Sequence, residues 1–276
     1  MAAPTKTRPA PLEYGRKRWL QAVMVLGFVF LYFPIVALVI RSFNEAKIGV
    51  AWKAFSWRWY IDAYNDASLI DAVNNTLIIA FIATIISTVI GSMLGLALYR
   101  YRFPLKGPFD GLLHLPIVIP EICMAVAVLS FFALIKLPLG FAAITVSHIA
   151  FCFPFVAVVV RSRMAGFDES LEEASRDLGA TPAQTFWNIT FPYMVPGVVA
   201  GGLLAFTLSL DDFVITFFTS APGSTTFPVK IYSMVRQSVT PKVNAASTVL
   251  IAITLTVTVI AMLIQARAGR KTTPHG

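Results

Sequence analysis

Six long apolar runs dominate the chain, separated by polar connections: Leu20–Ile40, Thr76–Leu98, Leu112–Ile135, Leu139–Val160, Tyr193–Thr219 and Ala245–Ala266. A helix needs about 20 apolar residues to cross a hydrocarbon core about 30 Å thick, so each run is long enough to span a bilayer. The pattern predicts an all-α integral membrane protein with six transmembrane helices. The first run follows Arg16-Lys17-Arg18, as a signal peptide would. Its unbroken length, and the lack of a small-residue cleavage site behind it, predict a retained helix instead. With no internal repeat or low-complexity segment, one membrane domain over residues 20–266 suffices, flanked by tails 1–19 and 267–276.

Composition sharpens this reading. Of 276 residues, 57% are hydrophobic and 13% charged, about half the charged fraction of a soluble domain. Together with a mean hydropathy of +0.74, this excludes a water-soluble globular domain, a disordered chain and a disulfide scaffold. Both cysteines, Cys123 and Cys152, fall inside apolar runs and suggest neither a disulfide framework nor a metal site.

Charge placement sets the orientation. Fourteen of the 22 basic residues fall on one side of the six-span arrangement. They are Lys6, Arg8, Arg16, Lys17 and Arg18 before the first span; Arg100, Arg102 and Lys106 in the second loop; Arg161, Arg163 and Arg176 in the fourth; and Arg267, Arg270 and Lys271 in the tail. Both termini are therefore expected in the cytoplasm. The first outer loop carries Trp52, Trp57, Trp59, Tyr60 and Tyr64. These rings suit an interfacial aromatic belt around a short surface helix, or alternatively a ring facing a substrate cation. Gly91/Gly95 and Gly197/Gly201 permit close helix packing. Pro116, Pro120 and Pro154 each remove a backbone donor inside a span, so the freed carbonyls must find partners within a bundle or cavity.

Four spans hold no Asp, Glu, Lys or Arg; the other two hold Glu121, Asp211 and Asp212. A carboxylate at a helix centre costs about 2.5–3.5 kcal/mol on insertion scales, so such groups normally face a cavity or pathway. Three acids without a base point to a cationic substrate or ion. Successive helical residues lie about 100° apart, so Asp211 and Asp212 cannot share a face. On one continuous helix Asp212 would align with Ser209, Thr216 and Thr219, and Asp211 would follow Thr207 by one turn; either could face a pore. His114 and His148 also lie within spans, where a lone histidine is ordinarily a hydrogen-bonded packing residue. No metal-ligand spacing and no nucleophile–base set stands out, so neither a metal site nor an enzyme is expected.

The fourth loop, about residues 165–192, is more than a connector. Ser170-Leu171-Glu172-Glu173 has the pattern of a capping box, with Leu171, Ala174, Ser175 and Leu178 following at helical spacing as one small, apolar face. Gly179 can end that helix in a left-handed conformation. Thr181-Pro182 reads as an N-cap and first helical position of a second short helix running to about Asn188. Such a helical pair suits docking to a partner, or lying on the membrane surface.

The spacing Glu173-Ala174-Ser175, three residues, Gly179, nine residues, Ile189, one residue, Phe191-Pro192 resembles the EAA loop of ABC-importer permeases, departing only at Ser175 for alanine and Phe191 for leucine. Further segments are similar to permease subunits of bacterial spermidine/putrescine importers of the PotC/PotI type. These are Ser42-Phe43-Asn44, Leu98-Tyr99-Arg100-Tyr101-Arg102-Phe103, residues 147–155 around His148, residues 206–213 around Asp211-Asp212, and Lys230-Ile231-Tyr232-Ser233-Met234-Val235. The resemblance implies a type I ABC-importer permease fold in the bacterial inner membrane. It implies a second, homologous permease subunit as heterodimer partner, two cytoplasmic ATPase subunits that hold ATP and Mg, and a periplasmic polyamine-binding protein. This chain would carry no cofactor and bind no nucleic acid; it has no Walker A sequence. Site residues implied are Ser209, Asp211, Asp212, Glu121 and Trp59 along a substrate pathway. Glu172, Glu173, Ala174, Ser175, Gly179, Ile189 and Pro192 would form the coupling loop. A polyamine is a chain of ammonium groups, for which carboxylates and aromatic faces are natural ligands. Other readings are a permease for another solute (an organic cation, an aminophosphonate or an amino acid), an ion-coupled secondary transporter or channel, and a non-transporting scaffold.

Overall fold

The computed structural model describes residues 18–46, 51–237 and 240–270. The described elements are all helical, and the one extended contact is an isolated bridge between Asn44 and Phe55. In order they are α1 (Arg18–Ser42), α2 (Arg58–Tyr64), α3 (Ala67–Arg100), α4 (Lys106–Val118), α5 (Glu121–Leu134), α6 (Phe141–Met164), α7 (Ser170–Asp177), α8 (Pro182–Thr185), α9 (Phe191–Asp211), α10 (Val214–Thr219), α11 (Phe227–Gln237) and α12 (Pro241–Arg270). A π-helical turn over Phe186–Thr190 joins α8 to α9. Among the described residues, four helices are long and apolar enough to cross a membrane alone: Trp19–Ser42, Ala67–Arg100, Phe141–Met164 and Pro182–Asp211. The α4–α5 pair makes a fifth if its bend lies within one span. Of the basic residues used for orientation, Lys6, Arg8, Arg16, Lys17 and Lys271 lie outside the described residues.

Two apolar runs are not single helices. The third bends by 110° between α4 and α5, where Ile119 is extended (φ −69°, ψ 138°) and Pro120 precedes the first residue of α5. Proline disfavours a helical residue before it and offers no N–H to the turn, so the break belongs there. The fifth run breaks at Asp212 (φ −58°, ψ 122°), separating α9 from α10. The second run is longer than its apolar pattern: α3 begins at Ala67 because Asp66 accepts a hydrogen bond from the Leu69 N–H at 3.2 Å. Asp66 also pairs with Lys242 at the start of α12. The hydrogen bond from Lys242 is the main reason the Asp66 carboxyl is held below its usual value.

The core is a bundle of α3, α6 and α9 in mutual contact, where a Cβ at Gly202 of α9 would lie 3.0 Å from Thr88 Oγ1 of α3. A Cβ at Gly91 of α3 would sit 2.6 Å from both the Phe153 carbonyl oxygen and Val156 Cβ, and one at Gly95 would sit 2.6 Å from the Ala157 oxygen. On the opposite side, a Cβ at Gly201 of α9 would lie 3.0 Å from Val156 Cγ1. Val156 is thus clasped between two glycines and fully buried, which is how small-residue faces bring membrane helices close. Cys152, Val156, Val160 and Met164 continue the α6 seam against Met194 and Ala205 of α9. By contrast, α1 lies against α12 and exposes large apolar side chains along most of its length, as a lipid-facing or partner-facing helix does.

Candidate functional site

The break between α9 and α10 builds the first site. Asp212, at the break, is 5% exposed. Its Oδ1 accepts from the Thr216 backbone N–H at 2.8 Å and the Thr216 hydroxyl at 2.9 Å, so Asp212 caps α10. His148, on α6 and 2% exposed, places Nδ1 2.7 Å from Ser209 Oγ of α9 and Nε2 2.9 Å from Thr216 Oγ1 of α10. The same Nε2 lies 3.3 Å from Asp212 Oδ1. Asp212 Oδ2 is buried without a hydrogen-bond partner. Glu121, at the first turn of α5 just after the 110° bend, brings its carboxyl within hydrogen-bonding reach of Asp212 and interacts electrostatically with Asp212, Asp211 and His148. The helix N-terminus there favours a carboxylate. Three segments far apart in sequence thereby converge.

Asp211 turns the other way. It is exposed and lines an open recess of about 400 Å³ with Phe213, Ile231, Tyr232 and Leu250. The Tyr232 ring stands 4.8 Å from the Phe213 ring and 6.0 Å from that of Phe217. Among the described residues no basic side chain pairs with Asp211, whereas Asp110 pairs with Arg161 and Asp66 with Lys242. The polar stripe expected on one continuous helix does not exist, because the helix stops between Ser209 and Thr216. Ser209, Thr216 and Asp212 do meet, but as a buried cluster around His148.

Trp59 stands apart. It is 8% exposed on α2, and its indole N–H donates to the Asn44 carbonyl at 2.8 Å. Its ring is anchored to Asn44 in the outer loop, where the exposed large rings are Trp52, Phe55, Trp57 and Tyr64. His148, Tyr232 and Phe213 were not expected at the site. In the sequence only the resemblance of residues 147–155 sets His148 apart from His114, whose Nδ1 lies 2.7 Å from the Asp110 carbonyl one turn back on its own helix.

The second site is the helical pair of the fourth loop. Ser170 is not the cap of α7: Asp168 Oδ1 accepts the Ser170 N–H at 3.0 Å, and Ser170 is already helical. The Asp168 carboxyl is exposed and held below its usual value by its hydrogen bonds from Ser170. At the other end Gly179 has φ +87°. Its N–H reaches the Arg176 carbonyl at 2.9 Å, while the Ala180 N–H reaches that of Ser175 at 3.1 Å, the paired bonds of a Schellman motif. Thr181 and Gln184 then form a reciprocal capping box with Pro182 inside it. The second helix does not end near Asn188. It continues through the π turn into α9, where Pro192, which offers no N–H, follows immediately.

Two adjacent glutamates divide roles. Glu173 is exposed with Ala174 and Leu171, and Leu178 is 89% exposed, so this face has no cover among the described residues. Glu172 is 6% exposed. It accepts from Arg100 Nη2 at the end of α3 at 2.5 Å and from the Thr190 hydroxyl at 2.5 Å, with Arg176 Nη2 at 3.6 Å. Ser175 Oγ meets Thr185 Oγ1 at 3.2 Å, and Ile189 packs on the main core. The loop is therefore a rigid bracket, anchored inward by Glu172 and open outward.

Residues 87–274 match the model of a family described as binding-protein-dependent transport system inner membrane component. The chain is similar to the spermidine/putrescine transport system permease protein PotC of Haemophilus influenzae, 41% identical over 243 residues, covering 88% of this chain and 95% of that protein. It is also similar to the putrescine transport system permease protein PotI of Escherichia coli K12, 38% identical over 267 residues and covering 94% and 95%. Among solved structures, a chain of a bacterial transporter that imports alginate superposes with a TM-score of 0.68 at 18% identity, covering 92% and 96% of the two chains. A chain of the MetNI methionine ABC transporter does so with 0.62 at 22% identity, covering 72% and 95%. At such identities the structural likeness establishes a shared fold.

Proposed function

The chain belongs to the family of binding-protein-dependent transport system inner membrane components, and from that premise we propose that it is the permease subunit through which an ATP-driven importer moves spermidine or putrescine into the cytoplasm. The observation that carries the cationic substrate is the meeting of Glu121 with Asp212 next to an exposed Asp211, with no basic side chain paired to Asp211 or Glu121 among the described residues. The names of the relatives, which transport polyamines, support the same class. In this reading Ser209, Asp211, Asp212 and Glu121 belong to the pathway, with Tyr232 as the aromatic wall in place of Trp59. A ring beside a carboxylate suits an ammonium group.

The membrane domain then spans residues 20–266 with six crossings and both termini cytoplasmic. The bent α4–α5 pair supplies the third crossing and the 30-residue α12 the sixth. A homologous permease subunit completes the pathway, and a periplasmic binding protein delivers the solute. Two ATPase subunits hold ATP and Mg and dock on the uncovered face of Leu171, Glu173, Ala174 and Leu178. Co-purified partners reconstituted in lipid test this. Polyamine-loaded binding protein is expected to raise ATP hydrolysis several-fold, whereas a different stimulating solute, or polyamine uptake without any ATPase, would overturn it.

Gly179 gives a local test of the docking face. A Cβ there would meet nothing within 4 Å, so a substitution is felt through the backbone at φ +87° alone. A β-branched residue resists that conformation at a cost of about 1–3 kcal/mol. Gly179→Val is expected to leave membrane insertion unchanged and lower uptake per ATP hydrolysed, with Gly179→Asn closer to wild type because asparagine tolerates positive φ. Equal coupling ratios in all three proteins would remove Gly179 from the docking bracket.

A further inference from the structure

The hydrogens around His148 can be assigned one by one. Thr216 has two donors, its backbone N–H and its hydroxyl, and both point at Asp212 Oδ1, at 2.8 and 2.9 Å. The hydroxyl proton is thereby committed, and Thr216 Oγ1 can only accept from His148 Nε2 at 2.9 Å. Nε2 therefore carries a hydrogen, which it shares with Asp212 Oδ1 at 3.3 Å. The other nitrogen meets Ser209 Oγ at 2.7 Å. His114 meets a carbonyl one turn back on its own helix through Nδ1. His148 instead spends both nitrogens on the two helices that flank the chain break.

The consequence falls on Asp212. The donors from Thr216 and His148 all fall on Oδ1, while Oδ2 is buried without one and the Glu121 carboxyl lies within hydrogen-bonding reach of Asp212. A buried carboxylate oxygen without a donor is costly. Here Thr216 and the imidazole both engage Oδ1, and together they set the direction in which the carboxylate points. We propose that His148 is a positioning residue that holds Asp212 so that Oδ2 stays open as an acceptor for one N–H of the transported cation, with Glu121 of α5 alongside. This rests on the reading that Asp212 serves a cationic substrate.

The experiment uses the assembled transporter in lipid with its binding protein, and records KM and maximal rate of spermidine and putrescine uptake together with thermal stability. Glutamine at 148 places an amide N–H near the Nε2 position; asparagine reaches only the Nδ1 position. Both bury a similar amide, so packing alone treats them alike. His148→Asn is expected to raise KM about tenfold, equivalent to about 1.4 kcal/mol, with little change in maximal rate, and His148→Gln to stay within about twofold of wild type. Equal KM in the two variants, or KM that follows melting temperature, would overturn the proposal. Where neither variant assembles, Thr216→Val decides. It keeps the backbone N–H and deletes the hydroxyl between His148 and Asp212, so KM should rise as for His148→Asn, and an unchanged KM rejects the proposal. Asp212→Asn separates the two levels. If it leaves KM unchanged, the substrate reading itself fails; if it raises KM while the His148 variants do not, only the positioning role fails.

Discussion

Glu172→Gln is expected to separate ATP hydrolysis from uptake more severely than any substitution on the exposed face of the same helix. Glu172 is the one buried carboxylate among the described residues of the coupling bracket. It joins three elements: Arg100 closing α3, Thr190 in the π turn that feeds α9, and Arg176 on its own helix. A force applied to the exposed α7 face therefore reaches α3 and α9 through one side chain. Glutamine keeps the shape and can still accept from Thr190, but it removes the charge facing Arg100. Breaking a buried pair from one side costs about 3–5 kcal/mol. The Arg100 side chain is 39% exposed and can rehydrate, which brings the expected loss to about 1–3 kcal/mol. Such a loss leaves a chain that still inserts but holds its bracket loosely. The measurement is uptake per ATP hydrolysed in the assembled transporter, with Glu173→Gln alongside. Coupling should fall about tenfold for Glu172→Gln, equivalent to about 1.4 kcal/mol, and Arg100→Gln should give the same defect. A normal ratio in both would show that the bracket transmits force by another route.

That division of labour between neighbouring glutamates marks a limit of sequence reading. The spacing from Glu173 to Gly179 and Pro192 located the loop, because caps, glycine and proline act through local backbone geometry. The pairing of Glu172 with Arg100 spans 72 positions and leaves no periodic trace. Apolar run length found the helices for a similar reason: it reports what a bilayer requires of each segment. It could not place the break at Asp212, where no glycine or proline interrupts the run. The chain stops being helical there because an aspartate side chain captures the Thr216 N–H in place of a backbone carbonyl. Pro120 removes a backbone donor at the α4–α5 junction, but Pro116 and Pro154 do so inside helices that continue, so the third run reads as one span and its 110° bend is not distinguished in the sequence. His148 was the least legible of all, since its role comes from two partners on other helices.

The break at Asp212 also sets opposite expectations for two adjacent acids. Asp211 faces the open recess and has no ion-pair partner among the described residues. Neutralising it removes a carboxylate whose insertion costs up to about 2.5–3.5 kcal/mol at a helix centre, and less where water reaches it. Asp211→Asn is therefore expected to leave thermal stability unchanged or slightly raised. Asp212→Asn behaves differently. Asparagine can still accept at Oδ1 and can turn its NH₂ toward Glu121, but the charge that strengthens the bonds from Thr216 and His148 is gone. Hydrogen bonds to a charged group are worth about 1.5–3 kcal/mol against about 0.5–1.5 kcal/mol between neutral ones, so weakening those from Thr216 and His148 should make this variant melt earlier. Both substitutions delete attraction for an ammonium group. A loss of about 1.4 kcal/mol is a tenfold weaker affinity, and more follows in a partly desolvated site. Uptake and stability should thus fall together for Asp212→Asn and move apart for Asp211→Asn, which makes Asp211 the cleaner probe of substrate contact. Polyamine uptake measured beside thermal melting in the assembled transporter checks both. Normal uptake in Asp211→Asn would mean that the recess beside Tyr232 does not meet the cation, and a stabilised Asp212→Asn would contradict its place as the cap of α10.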